Sequence, residues 1–181
     1  SGVDHARAVG LVPKEVFGDF DSISRRGLKW AHQHATVHEY CPEKDDTDTQ
    51  LAISLAARRV PARLIVVSGG GDRLDHTLAI IGALLDEDVT SIPDVSLQWG
   101  DNLATILHGP GRATLTPPLN STLSVIALSA PCNGITMTGT KWSLDDESLT
   151  LLSGRGVSNI VEGDVAITVR EGVLAIFHQL P

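Results

Sequence analysis

Helical periodicity runs through the first hundred residues of this sequence and then stops, and that switch constrains the fold more than any other feature. Val3 to Val9 reads as a helix ended by Gly10. A short strand at Glu15 to Phe17 runs into Gly18-Asp19-Phe20-Asp21-Ser22, and Ser24 is placed to cap a helix over Arg25 to His34. A strand near Thr36 to Tyr40 follows. Pro42-Glu43-Lys44-Asp45-Asp46-Thr47-Asp48 then leads into a helix with Leu51, Ala52, Leu55 and Ala56 on its apolar stripe. Arg63 to Ser68 reads as a buried β-rich run. Gly69-Gly70-Gly71 separates it from a helix that carries Arg73, Asp75 and His76 at its opening and Leu74, Leu78, Ile81 and Leu85 at helical spacing. Such alternation predicts an α/β layer with a largely parallel sheet. From about Val95 onward only short alternating segments remain, VSLQW, LATIL, TLSVIAL, GITMTG, AITVR and VLAIF, between Gly, Pro and Asn turns. That half is expected to be all-β, which puts the division at residues 1–100 and 101–181.

With 181 residues and 42% hydrophobic content the chain can bury a core, as one large domain or two small ones. Its net charge of -8, with no Lys/Arg-rich run, argues against a nucleic-acid surface, which needs clustered cations to neutralise phosphates. An acidic protein that handles phosphates needs metal ions instead. Cys41 and Cys132 show no paired spacing, so neither a zinc site nor a disulfide framework is expected, and a reducing cytoplasm is the simplest compartment. No apolar run approaches the roughly 18 residues of a membrane span, and SGVDHARAVG has no signal-peptide pattern.

Three polar clusters fall where an open α/β sheet binds ligands, beyond the carboxyl ends of strands. Asp19 and Asp21 are two apart, Asp45, Asp46 and Asp48 come one segment later, and Asp75 follows the glycine run. Carboxylates meeting at one sheet edge repel unless divalent cations sit among them, and magnesium suits hard oxygen ligands completed by water and substrate phosphate. A lone Asp or Thr at a helix start is also a good cap, so for Asp45, Asp46 and Thr47 both readings stand. The glycine run with Arg73 reads either as a turn or as a place where backbone N–H groups approach a phosphate. Neither a G-x-G-x-x-G fingerprint nor a G-x-S-x-G elbow is present. The segment from Gly134 to Lys141 misses a Walker A loop by one residue and lies in strand-like sequence. His32, His34 and His38 are read as solvated surface.

Taken together, five ordered motifs resemble the thiamine pyrophosphokinase family over nearly the whole chain. Gly18-Asp19-Phe20-Asp21-Ser22 is similar to its GDFDS, Lys44-Asp45-Asp46-Thr47-Asp48 to its K-D-x-T-D, and Arg73-Leu74-Asp75-His76 to its R-x-D-H. In the β half, Lys141-Trp142-Ser143-Leu144 and Gly156-Val157-Ser158-Asn159 resemble its K-W-x-L and G-x-S-N. The resemblance implies an N-terminal α/β catalytic domain, a C-terminal β-sandwich, and a homodimer with active sites between subunits. It implies ATP and thiamine as substrates. Asp19, Asp21 and Asp48 would hold magnesium on the ATP phosphates, with Ser22, Lys44, Thr47 and His76 on the nucleotide side. Arg73 and Asp75 would position phosphates or metal-bound water; Trp142 would stack on the thiamine pyrimidine, with Ser158 and Asn159 hydrogen-bonding nearby. Independently, an indole face suits a flat cationic heterocycle through stacking and cation–π attraction, although a core tryptophan is the competing reading of Trp142. The family opens on a strand ending in an A-D-G-G-like turn where this sequence opens at Ser1-Gly2, and Asp72 stands where the family more often has glycine. One sheet edge and the phosphate approach at that turn are therefore expected to differ.

The reaction expected on these grounds is in-line attack of the thiamine hydroxyl on the β-phosphorus of ATP with AMP leaving, Asp75 or Asp48 being the candidate bases. Two rivals are weighed against it. A diphosphokinase for another hydroxymethyl heterocycle such as a pterin is disfavoured by Trp142 and Ser158-Asn159. An inactive thiamine-binding regulatory module is disfavoured because binding thiamine alone does not need the aspartates.

Overall fold

The structure, a computed structural model, describes residues 2–41, 43, 45–68 and 73–179. The expectations placed on Lys44 and on Gly69 to Asp72 lie outside those residues. The backbone gathers into two compact units, Ser1–Ala52 and Ile53–Pro181.

The first unit holds helix α1 (Gly2–Ala8), strand β1 (Glu15–Gly18), helix α2 (Arg25–His34), strand β2 (Thr36–Glu39) and the start of helix α3 (Asp48–Ala57). β1 and β2 pair in parallel, Glu15 opposite Thr36 and Gly18 opposite Glu39. Ser24 caps α2 as its sequence position predicts, its Oγ accepting the Gly27 N–H at 2.9 Å. Such a cap contributes about 1 kcal/mol. A residue the sequence did not single out completes it: Asp4 of α1 accepts from Ser24 N at 3.0 Å and from Ser24 Oγ at 2.6 Å. These bonds to Ser24, the backbone one foremost, hold the Asp4 carboxyl below its ordinary range.

In the second unit come strand β3 (Arg63–Ser68), helix α4 (Leu74–Ala83), helix α5 (Glu87–Thr90), β4 (Asp94–Trp99), β5 (Asn102–His108), β6 (Gly111–Leu115) and β7 (Thr122–Ala127). They are followed by β8 (Ile135–Thr140), β9 (Leu144–Glu147), a 3-10 turn (Gly154–Gly156), β10 (Asn159–Val169) and β11 (Val173–His178). The hydrogen-bonded path runs β3-β4-β5-β11-β7-β10-β8-β9, with β6 against β10. The chain is thus mixed α/β with a largely β second unit. Among the described residues the expected parallel pairing is found between β1 and β2 and between β3 and β4 and goes no further. The reason is local: β4 turns into β5 through Gly100-Asp101, with Gly100 at φ 55°, and a two-residue hairpin can only return antiparallel. This hairpin carries the sheet across residue 100 without a break.

Two apolar cores form. In one, Ile53 and Ala57 of α3 and Ile80 and Ala83 of α4 cluster with Leu64, Val66, Val95, Leu97 and Ile106. β3 differs from the buried run expected of it: Leu64 and Val66 face this core, while Ile65 and Val67 are 53% and 75% exposed. In the other, Leu123, Val125, Leu174 and Ile176 of β7 and β11 meet Ile135, Met137, Val161, Val165 and Ile167 of β8 and β10. β10 shifts register against β8 between Val161 and Ala166. Gly139 lies opposite this irregularity at φ 79°, where a Cβ would strike the Asp164 carbonyl, so a strand distortion accounts for this glycine of the near-Walker segment.

His108 of β5 donates from Nε2 to the Leu84 carbonyl at the end of α4, at 3.0 Å. Burial lowers its pKa from 6.5, the bond to Leu84 opposing in part. A depressed histidine contributes stability fully above its unfolded pKa and loses it as pH falls through the folded value. Stability should therefore decline as pH drops below 6.5, and His108→Gln should flatten that slope in urea unfolding at stepped pH; an unchanged slope would remove His108 as its source.

Candidate active site

β1 ends at Gly18 and the chain turns at once. Phe20 adopts a left-handed φ of 60°, and the Asp21 N–H donates to Asp19 Oδ1 at 3.2 Å, an Asx turn that keeps two carboxylates within one bend. Asp19 is half-buried; Asp21 and Ser22 are exposed. Asp48 opens α3, and its carboxylate lies against the Gly18 backbone: a Cβ on Gly18, whose φ is 154°, would stand 2.8 Å from Asp48 Oδ2. Only glycine leaves that room, so the strand end and the helix start of the first two motifs are brought together. Thr47 Oγ1 accepts the Gln50 N–H at 3.2 Å, which gives Thr47 the capping role and leaves Asp48 in the first turn, where helix N–H groups favour negative charge. Asp45 and Asp46 are exposed on the loop before it.

Among the described residues no three His, Cys, Asp or Glu side chains gather closely enough to hold a metal ion by themselves. The donors at the end of β1 are hard carboxylate oxygens. They fit a cation that takes one or two carboxylates and completes its shell with water and phosphate. Two of the three histidines are engaged otherwise: His34 stacks on Trp30 at 4.9 Å, and His38 stacks on Phe17 at 4.6 Å and donates to Glu15 at 3.2 Å; His32 is exposed.

Arg73, Asp75 and His76, all exposed, stand at the opening of α4 in the second unit. Arg73 Nε donates to the two Asp75 oxygens at 2.9 and 3.2 Å, and Nη2 to Oδ2 at 2.5 Å. This fork lowers the Asp75 pKa to about 2 and raises that of Arg73. Side chains 67% and 62% exposed gain little stability from pairing. What the fork achieves is to present a permanently ionised, oriented pair. A carboxylate at about 2 is a weak proton acceptor near neutral pH, which suits Asp75 to positioning rather than to general-base work.

Also in the second unit, a cleft of about 440 Å³ is lined by Met137, Trp142, Leu144, Arg155, Val157 and Ser158, with Asn159 beside them. Its size is that of a small-molecule site. The Trp142 side is open, the residue being 56% exposed, which removes the core-tryptophan reading. Lys141 Nζ stands 4.8 Å from the centre of its ring. Ser158 is held at a left-handed φ of 62°, a conformation that costs a non-glycine residue on the order of 1 kcal/mol. Its N–H donates to Ser124 Oγ at 3.0 Å, which helps to retain it. Asn159 is only 4% exposed and bonds to the Trp142 backbone. Sequence reading missed Ser124, one polar position in an alternating strand, and Arg155, which lines the cleft and pairs with Glu147 at 3.1 Å. Neither carries a local pattern that separates it from ordinary surface.

Residues 1–93 match the thiamin pyrophosphokinase catalytic domain, and residues 112–174 the thiamin pyrophosphokinase vitamin B1 binding domain. A thiamine pyrophosphokinase of Bacillus subtilis (strain 168) is 29% identical over 172 residues, spanning 93% of this chain and 79% of the relative. The crystal structure of a thiamin pyrophosphokinase family protein from Enterococcus faecalis is similar at a TM-score of 0.84 and 25% identity, over 99% of this chain and 85% of its own. For the thiamine pyrophosphokinase structure from Bacillus subtilis the TM-score is 0.81 at 26% identity, over 99% of this chain and 84% of that one. With the catalytic match spanning 93 of 181 residues and the vitamin B1 match following it in order, the chain belongs to the thiamin pyrophosphokinase family.

Proposed function

We propose that Asp19, Asp21 and Asp48 hold magnesium on the phosphates of ATP and that the Trp142 cleft holds thiamine, the two substrates of this enzyme's pyrophosphoryl transfer. The observation that carries the assignment is the cleft itself: an exposed indole beside a strained serine, inside the segment matched by the vitamin B1 binding domain. The thiamine hydroxyl oxygen bonds to the β-phosphorus of ATP, the bond from that phosphorus to the α-phosphate oxygen breaks, and AMP leaves; the hydroxyl proton passes to a carboxylate or to water. Bound magnesium supplies charge screening at the phosphates.

The residues contribute position and field rather than covalent chemistry. Arg73, its Nε and Nη2 oriented by Asp75, meets phosphate with the guanidinium donors that remain. Ser22, Lys44, Thr47 and His76 serve the nucleotide side, Thr47 through the cap that sets Asp48. The indole takes the flat cationic rings of thiamine, and Ser158 and Asn159 complete the wall.

The work divides near residue 100, residues 1–100 serving ATP and magnesium and 101–181 thiamine; the family matches on either side support this. A two-layered β-sandwich is our reading of the second half, supported by the core that β7 and β11 share with β8 and β10. The free Cys41 and Cys132 accord with a cytoplasmic enzyme, and no helix among the described residues is long and apolar enough to cross a membrane. We also assign a homodimer with active sites at the subunit interface, supported by exposed Leu151 and Leu152 and by exposed Val157 in the cleft lining. Light scattering should give twice the 19.2 kDa chain mass, and a monomeric mass in the active state would refute this.

Incubated with thiamine, ATP and magnesium, the protein should release thiamine diphosphate and AMP in equal amounts, and EDTA should abolish both. Asp21→Asn should lower turnover on the order of 100-fold or more, the several kcal/mol that phosphate charge stabilisation is worth, with the circular dichroism unchanged. Loss of folding would make Asp21 structural instead. Trp142→Ala should raise KM for thiamine about 10-fold, the scale of a stacking plus cation–π contact, and leave KM for ATP alone. Equal effects on both substrates would place Trp142 elsewhere in the mechanism.

A further inference from the structure

The two buried polar residues among those described, Thr140 at 7% and Asn159 at 4% exposure, meet at one place: the backbone of Trp142, the exposed aromatic residue of the cleft. Asn159 Nδ2 donates to the Trp142 carbonyl at 2.6 Å and to Thr140 Oγ1 at 3.3 Å. Asn159 Oδ1 accepts from the Trp142 N–H at 3.1 Å and from the Ile160 N–H at 2.9 Å. Thr140 Oγ1 also donates to the Trp142 carbonyl, at 3.3 Å. A side-chain amide has two donor hydrogens and two acceptor lone pairs, and here all four are used. The amide orientation is set by its partners, because turning it over would face Oδ1 with the Trp142 carbonyl and Nδ2 with two N–H donors.

We propose that Asn159, seconded by Thr140, is a positioning residue that locks Trp142 into the cleft wall, acting through the backbone on both sides of the ring and leaving no amide donor or acceptor for substrate. This rests on the thiamine reading of the cleft given above. Asn159 plays the part of a neighbouring strand: it bonds to the N–H and the C=O of one residue, as a ladder partner does, just where β8 has ended at Thr140 and no strand continues. The indole is 56% exposed, with the Lys141 ammonium 4.8 Å from its ring centre, so its side chain is not held by a surrounding core. A stacking platform fixed beforehand spares the substrate the cost of ordering it, so the lock governs thiamine affinity and leaves the ATP side untouched. Burial of Asn159 and Thr140 strengthens the network, because an amide or hydroxyl that loses its partner there has little water to replace it.

The test uses the full chain labelled with 5-fluorotryptophan, which gives one fluorine resonance for each of the three tryptophans, Trp142 being assigned by its loss in Trp142→Phe. In the parent, thiamine should shift the Trp142 resonance. Asn159→Asp, isosteric but with an oxygen facing the Trp142 carbonyl, should move that resonance to the solvent-exposed position without ligand. It should also raise KM for thiamine about 10-fold or more, with KM for ATP unchanged and kcat within a few-fold. Should Asn159→Asp not fold, Thr140→Val, which keeps the shape and loses the hydroxyl, should give the same pattern more weakly, and Thr140→Ser should restore it. Thiamine affinity lost while the Trp142 resonance stays in place overturns the proposal, because Asn159 would then be a direct ligand. A displaced resonance with unchanged KM overturns it as well. A parent resonance that does not respond to thiamine overturns the cleft assignment itself, and with it the link from lock to affinity, and is recognised because the ligand-free contrast between parent and variant remains.

Discussion

Strand β10 has more partners than a straight strand can reach. Asn159 and Ile160 pair with β7, while residues from Val165 to Val169 lie between β6 and β8. Every one of those backbone groups needs a bond once buried, so the strand must change partners part-way, and the register shift after Val161 is where it does so. The second core and the cleft both depend on that change. Val161, Val165 and Ile167 are fully buried only because the strand passes between its two sets of neighbours, and Asn159 stands at its first residue, where side-chain bonds substitute for a ladder.

Charge sets the other constraint. A chain with eight more acidic than basic residues gains nothing from attracting phosphates over its whole surface, so binding has to be local. The arrangement at the end of β1 is local in this sense: Gly18 has no side chain, Asp48 occupies the room, and Asp19 follows one residue on. The Arg73–Asp75 fork works by the opposite means, a cation whose direction is set by a neighbouring anion and whose exposure leaves it open to a ligand. The exposed Arg73–Asp75 pair adds little to stability.

Much of this was legible beforehand. The helix over Arg25–His34 with its Ser24 cap, the strand Arg63–Ser68, and most of the short strands stand where periodicity and turn residues put them, because those signals act within a few residues. What escaped was non-local. β6 and β9 were not expected: LDDE has no strand propensity of its own and pairs only because β8 offers an open edge. Asp4 reaches Ser24 from twenty residues away, and Ser124 reaches Ser158 from thirty-four.

The sequence by itself determined which residues are candidates for the chemistry, since carboxylate pairs, an arginine beside an aspartate and an indole are recognised by type and spacing. Tertiary structure alone decided how those residues are used. It made Thr47 a cap and Asp48 the neighbour of Gly18, held Asp75 at a pKa of about 2, left Trp142 open to solvent, and turned Asn159 inward onto the backbone. The physical reason is that a side chain's identity fixes what it can donate, accept or stack upon, whereas burial and the partners brought from distant segments decide which of those capacities remain free for a ligand.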